Sequence, residues 1–167
     1  GDRRQDIVAA GLASQRASCA CWDARGGRPL SPVFSWQDRR AHEWLRQFEP
    51  GAEEVHRRTG LFLSAHYGAS KLRWALDNLP AVREALADGT LCWGPQASFL
   101  VYRLTAEQSM MADPQCAART QLWNIHTRDW DPELLALFGV PPGHLPKSAP
   151  TCGRFGTMRV EGITFPL

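Results

Sequence analysis

Six polar side chains carry groups that could grip or activate a substrate: Arg16, Asp38, Arg39, His66, Arg119 and His126. Guanidinium groups donate several hydrogen bonds at once, an imidazole moves protons near neutral pH, and a carboxylate accepts bonds or a proton. Their spacing matches no compact chemical motif. There is no Gly-rich phosphate loop followed by Lys and no His/Cys cluster with metal-ligand spacing. Ser, His and Asp are all present, but no nucleophile elbow surrounds a serine, so a catalytic triad is not indicated. Each polar group also has an ordinary role. "DRR" (residues 38–40) reads as a solvated helix start, His66 beside Tyr67 as a loop pair, and His126 in "NIHTRDWD" as a turn residue.

Trp36 in "FSWQDRR" raises a sharper question. A large indole stands where an extended run gives way to polar residues, a position suited to a surface that is part apolar and part wet. Seven tryptophans in 167 residues point the same way, to a carved site or an interface. The five cysteines, Cys19, Cys21, Cys92, Cys116 and Cys152, are odd in number and scattered. They read as reduced thiols of a cytosolic protein. Zinc at Cys19/Cys21 is the alternative, and it lacks a second ligand pair.

The elements that must position these groups follow from hydrophobic period and punctuation. The apolar run at residues 7–13 reads as a buried strand, "RASCACWD" alternates loosely, "ARGGRP" is a turn, and "SPVFSW" is extended. From Asp38, a plausible N-cap, Ala41, Trp44, Leu45 and Phe48 fall at helical spacing. "TGLFLSAHYGAS" is loop-like. "KLRWALDNL" is helical with Leu72, Ala75, Leu76 and Leu79 on one face, and Trp74 off that stripe. "PAVREALADG" is a helix opened by Pro80 and closed by Gly89. "PQASFLVYRLT" is helical, and "WDPELLALFG" starts at Asp131–Pro132 and stops at Gly139. "TQLWNI" belongs to the core, "VPPGHLPKSAP" is a connection, and "GRFGTMRVEGITFPL" reads as strands. Strands, then helices, then strands predict an α/β layer with a helical insertion.

Length suits one domain. A net charge of +2 argues against nucleic acid or an anionic membrane as partner, and no apolar run approaches a membrane span. No signal peptide is visible, and the chain begins with Gly1, as after processing or excision from a longer chain.

The ordered set "SQR", "CWD", "WQDRR", "TGL", "SKLRWALDN", "ARTQLWNIHTRDWD" and "LLALFGVPP" resembles the FGGY carbohydrate kinase family, in pattern nearest its glycerol kinases, from about Val8 onward. Residues 71–78 resemble the family's first signature. The resemblance implies a lobe of ribonuclease H-like (actin-like ATPase) fold and transfer of the γ-phosphoryl group of ATP, with Mg2+, to a hydroxyl of a sugar or polyol. Residues 1–167 would be part of the N-terminal, substrate-side domain. Arg16 then matches the substrate-binding Arg of the "QR" motif, and Trp36 the indole lining the polyol pocket.

Two positions depart from the glycerol kinase pattern. Ala17 stands where a Glu accepts bonds from glycerol, and His66 where a Tyr reaches it. A site built for particular hydroxyls rejects mismatched ligands, so the resemblance implies a sugar or polyol other than glycerol, held by Arg16, Ala17, Trp36 and His66. The family's phosphate-cradling Asp-x-Gly-Thr turn is expected before Gly1, and its catalytic Asp just after Leu167. No catalytic residue, metal ligand or nucleotide site is therefore expected within the chain, and the chain alone is expected to be inactive. Its first strands would pair with residues 7–13, leaving an edge open to self-association. The expected partners are a small sugar or polyol and a possible second copy, with no nucleic acid or membrane. The alternative is a non-catalytic sugar-binding or regulatory module.

Overall fold

A computed structural model describes residues 6–167. At its centre β1 (Cys19–Asp23) lies between β2 (Arg28–Pro29) and β3 (Leu91–Pro95), all antiparallel. Gly26 and Gly27, both at positive φ, make the β1–β2 turn, a conformation open to glycine. β1 and β3 are buried along their whole lengths. Their two-residue period sends neighbours to opposite faces. Cys19, Cys21 and Trp93 enter the main core, while Trp22 and Cys92 meet Tyr102 on the other side.

Helices cover both faces. The segment between Phe34 and β3 forms α1 (His42–Leu45), a 3-10 stretch (Arg46–Gly51), α2 (Ala52–Thr59), α3 (Gly68–Asn78) and α4 (Pro80–Ala87). Leu72, Ala75 and Leu76 of α3 and Val82 and Ala85 of α4 pack into the main core. On the far face, α5 (Gln96–Leu104) sets Tyr102 against Trp22 at 5.9 Å between ring centroids. The remainder wraps these layers. β4 (Met111–Ala112) pairs with β7 (Lys147–Ser148), β5 (Trp123–Asn124) with β6 (Asp129–Trp130), and β8 (Thr157–Val160) with β9 (Ile163–Pro166). The short helices α6 (Pro114–Ala118) and α7 (Pro132–Leu137) complete the chain.

Three expectations are corrected. Residues 7–13 form no strand. Their run is largely exposed, and β1 already bonds to β2 and Phe34 on one side and β3 on the other. The open edge expected at that strand therefore has no counterpart. The helix expected from Asp38 begins only at His42 and breaks at Arg46. The Asp38 carboxylate accepts from the Arg40 amide and guanidinium instead, and Pro50 supplies no amide for a continuous α-helix. Finally, the sheet's third strand, β3, comes from the middle of the chain, where "LCWGP" carries no alternating pattern.

All five cysteines are free, and Cys19 and Cys21 are buried core residues. Burial pushes the Cys19 thiol up to about 12, so it serves as a small apolar side chain. Phe138 is fully buried, with its ring 5.3 Å from Phe48. Phe138→Ala is expected to cost about 3–5 kcal/mol, measured by urea denaturation.

Candidate functional site

The start of α3 draws three distant segments together. The buried Lys71 ammonium donates to the Ala17 carbonyl at 3.0 Å and the His66 carbonyl at 2.7 Å. The amides of Gly68 and Ala69, unpaired within their own helix at its first turn, donate to the carbonyls of Arg119 and Thr120. Ser18 adds a fourth tie: its hydroxyl accepts from the Trp36 amide at 3.0 Å and donates to the Gln15 amide oxygen.

These ties surround an open cleft of about 310 Å³ lined by Gln15, Arg16, Ala17, Trp36, His66 and Arg119. All four residues expected from the sequence meet there, together with Arg119. The Trp36 indole is 41% exposed and meets the His66 ring edge-on at 5.7 Å; His66 meets Tyr67 likewise at 5.0 Å. Ala17 adopts a left-handed backbone, φ 63°, a strained choice for a residue with a Cβ. The bond from Lys71 to its carbonyl helps hold it.

The other polar candidates lie elsewhere. Asp38 pairs with Arg40 at 2.8 Å, and the Arg40 guanidinium lies over Trp74, 4.3 Å from the ring centroid. His126 belongs to the β5–β6 turn, with its amide on Asn124 and its ring nitrogen 2.9 Å from the Arg57 carbonyl. Lys71, buried and bonded to two carbonyls beneath the cleft, is the residue that sequence reasoning did not single out. Its signal was present: a lysine in line with the apolar face of "KLRWALDNL".

The electrostatics of the cleft are one-sided. Burial lowers the His66 pKa, and the neighbouring cations Lys71, Arg119 and Arg39 lower it further. The imidazole is neutral at ordinary pH and offers one donor and one acceptor. His66 is expected to titrate below the ordinary value of about 6.5, read by nitrogen-edited NMR of the imidazoles; a midpoint at or above that value would contradict the cationic setting. Burial also lowers the Lys71 pKa, an effect that Cys19 and Asp38 oppose. Among the described residues, no group of three or more His, Cys, Asp or Glu side chains could hold a metal ion. Among the described residues, no helix is long and apolar enough to cross a membrane.

An aromatic wall beside guanidinium and imidazole groups, on an α/β lobe of ribonuclease H-like, actin-like type, is the architecture of a sugar-kinase lobe. The chain belongs to the FGGY family of carbohydrate kinases: the model of that family's N-terminal domain matches residues 2–164. It is 41% identical over 158 residues to glycerol kinase 1 of Pseudomonas aeruginosa, covering 93% of this chain and 32% of that protein. The crystal structure of Plasmodium falciparum glycerol kinase with ADP superposes with a TM-score of 0.89 at 27% identity, over 96% of this chain and 33% of the other. Xylulose kinase from Rhodospirillum rubrum shares the fold, with a TM-score of 0.72 at 24% identity over 93% of this chain and 30% of the other. The chain spans about a third of the length of the curated relatives it matches.

Proposed function

We propose that the chain is the acceptor-side part of a complete FGGY kinase that phosphorylates a hydroxyl of a sugar or polyol other than glycerol. The observation that carries this reading is the convergence of Arg16, Ala17, Trp36 and His66 on one cleft. The indole lies against the carbon skeleton, Arg16 donates to hydroxyls, and neutral His66 donates or accepts one bond, the usual division between apolar wall and aimed polar groups. Ala17 has no side-chain acceptor, so the hydroxyl pattern satisfied here differs from one that needs a carboxylate at that point.

In the transfer, the acceptor hydroxyl oxygen bonds to the γ-phosphorus of ATP as the bond from that phosphorus to the β,γ-bridging oxygen breaks. ADP departs, and the hydroxyl proton passes to a base. ATP, Mg2+ and the base belong to the remainder of the kinase, while this chain binds and orients the acceptor.

The test is a kinetic panel of polyols and sugars with the complete kinase, following ADP release. A compound other than glycerol is expected to show the highest kcat/KM; glycerol as the best substrate would defeat the reading. The purified 167-residue chain is expected to show no ATP-dependent turnover, and turnover would refute the division of labour. A complete chain that binds polyol yet transfers no phosphoryl group would be a binding module instead.

A further inference from the structure

Three groups at the cleft form a chain of hydrogen bonds with a fixed direction. The Trp36 backbone N–H donates to the Ser18 hydroxyl at 3.0 Å, and that hydroxyl donates to the Gln15 side-chain oxygen, also at 3.0 Å. A backbone amide can only donate, so the Ser18 oxygen accepts at that end. Its single proton then goes to Gln15, and only the oxygen of a carboxamide can receive it. The reversed carboxamide would leave the proton of a fully buried hydroxyl without an acceptor among the described residues, a costly arrangement. The direction of the chain thus sets which end of Gln15 meets Ser18. With the oxygen spent there, Gln15 offers its NH2 group to the cleft, which it lines with Arg16 and Trp36.

Ser18 is built to be the fixed point of this chain. Its carbonyl accepts from the Gln96 amide at the start of α5. It stands between Ala17, whose carbonyl is held by Lys71, and Cys19, whose amide and carbonyl both pair with Phe34. Gln15 and Trp36 are exposed, and each gains a fixed stance from the buried hydroxyl between them. We propose that Gln15 is a further acceptor-binding residue, its NH2 group donating to an oxygen of the acceptor, and that Ser18 is the positioning residue that aims Gln15 and sets the stance of Trp36. This rests on the reading of the cleft as the acceptor site and adds to the groups that hold the acceptor there. A side chain already held in its binding orientation loses less freedom when the acceptor arrives.

The experiment measures steady-state kinetics of the complete kinase with glycerol and with the compound of highest kcat/KM in the polyol and sugar panel. It compares wild type with Q15M, S18A, the Q15M/S18A double variant and W36A. Gln15 is exposed, so Q15M removes the carboxamide without opening the core. Q15M is expected to raise the acceptor KM about fivefold, with kcat and the KM for ATP little changed, as for an interaction made equally in ground and transition states. S18A is expected to raise the acceptor KM about tenfold, because it frees Trp36 as well as Gln15. Independent residues would multiply to about fiftyfold in the double variant, whereas the relay predicts about tenfold, since without Ser18 the carboxamide is no longer aimed. A merely structural serine would not produce that shortfall.

An acceptor KM in Q15M within about twofold of wild type, with W36A raising it, would overturn the assignment and leave the acceptor-site reading standing. Q15M decides the binding role by itself, whatever S18A does to the fold. A double variant that reaches the full product would overturn the part given to Ser18. An acceptor KM unmoved in both Q15M and W36A, or turnover of no compound in the panel, would defeat both the assignment and the reading beneath it.

Discussion

Lys71→Met is expected to raise the acceptor KM of the complete kinase about tenfold while changing kcat much less, the signature of lost ground-state positioning. Lys71 is 1% exposed, and its ammonium is the shared donor to the two carbonyls that carry opposite walls of the cleft, those of Ala17 and His66. Methionine fills nearly the same volume, so the change removes the cross-link without opening a large cavity. Each carbonyl left without its partner costs about 1–3 kcal/mol. Relief from burying an ammonium, the burial that already lowers the Lys71 pKa, offsets part of that. A net loss of about 2 kcal/mol is expected from urea denaturation. Freed of its partner, Ala17 is expected to relax from its left-handed backbone, carrying Arg16 away from Trp36. Loss of stability alone would not move KM at temperatures where the variant stays folded. An unchanged KM in a folded variant would remove the positioning role.

A large stability effect is also expected at Asp131, which is 2% exposed. Its carboxylate caps α7 by accepting from the amides of Glu133 at 2.9 Å and Leu134 at 3.2 Å. It also accepts from the Asn124 side chain at 2.8 Å and pairs with Arg58 at 3.0 Å, joining α2, the β5–β6 hairpin and α7 in one network. Asp131→Ala removes the cap and leaves its partners facing a gap, an expected loss of about 3 kcal/mol.

The same carboxylate sets a pH dependence. Burial, the largest single influence, raises its pKa, but the bonds from Asn124, Arg58 and the two amides together outweigh burial and hold it below the usual aspartate value. A group whose folded pKa is depressed stabilises the fold above its unfolded pKa, about 3.9 for aspartate, and loses that stabilisation as pH falls through the folded value. Wild type is therefore expected to lose stability more steeply than Asp131→Ala as pH drops below about 4. Parallel curves in acid denaturation would show that Asp131 is not the group responsible.

Features governed by neighbours a few residues apart were legible in the sequence. α4 opens with Pro80 and is closed by Gly89 at φ +69°; α7 opens with Asp131 and Pro132 and stops at Gly139 at φ +62°. Caps and stops act within one turn, so residue order is enough to read them. The membership of the cleft was legible for a different reason. Arg16 and Trp36 stand inside family motifs and Ala17 and His66 beside them, and the order of those motifs carries the spatial arrangement that spacing alone does not. Arg119 stood out as a polar residue, yet nothing local placed it beside the others.

What escaped was pairing between distant parts of the chain. The apolar run at residues 7–13 has the composition of a strand, but a strand is made by its hydrogen-bonded neighbours. "LCWGP" looks like nothing in particular, yet it becomes β3 because β1 offers it a full ladder from Cys19 to Asp23. Likewise Lys71 sits on an otherwise apolar helix face, where a lysine reads as a defect until Ala17, 54 residues earlier, presents a carbonyl to it. Residue order alone set the ends of α4 and α7 and the identities of four of the cleft residues, because those depend on bonds closed within a few residues or on the order of family motifs. Strand partners, the cationic balance of the cleft and the strut beneath it came only with the folded chain, because each is the product of groups that meet nowhere but in three dimensions.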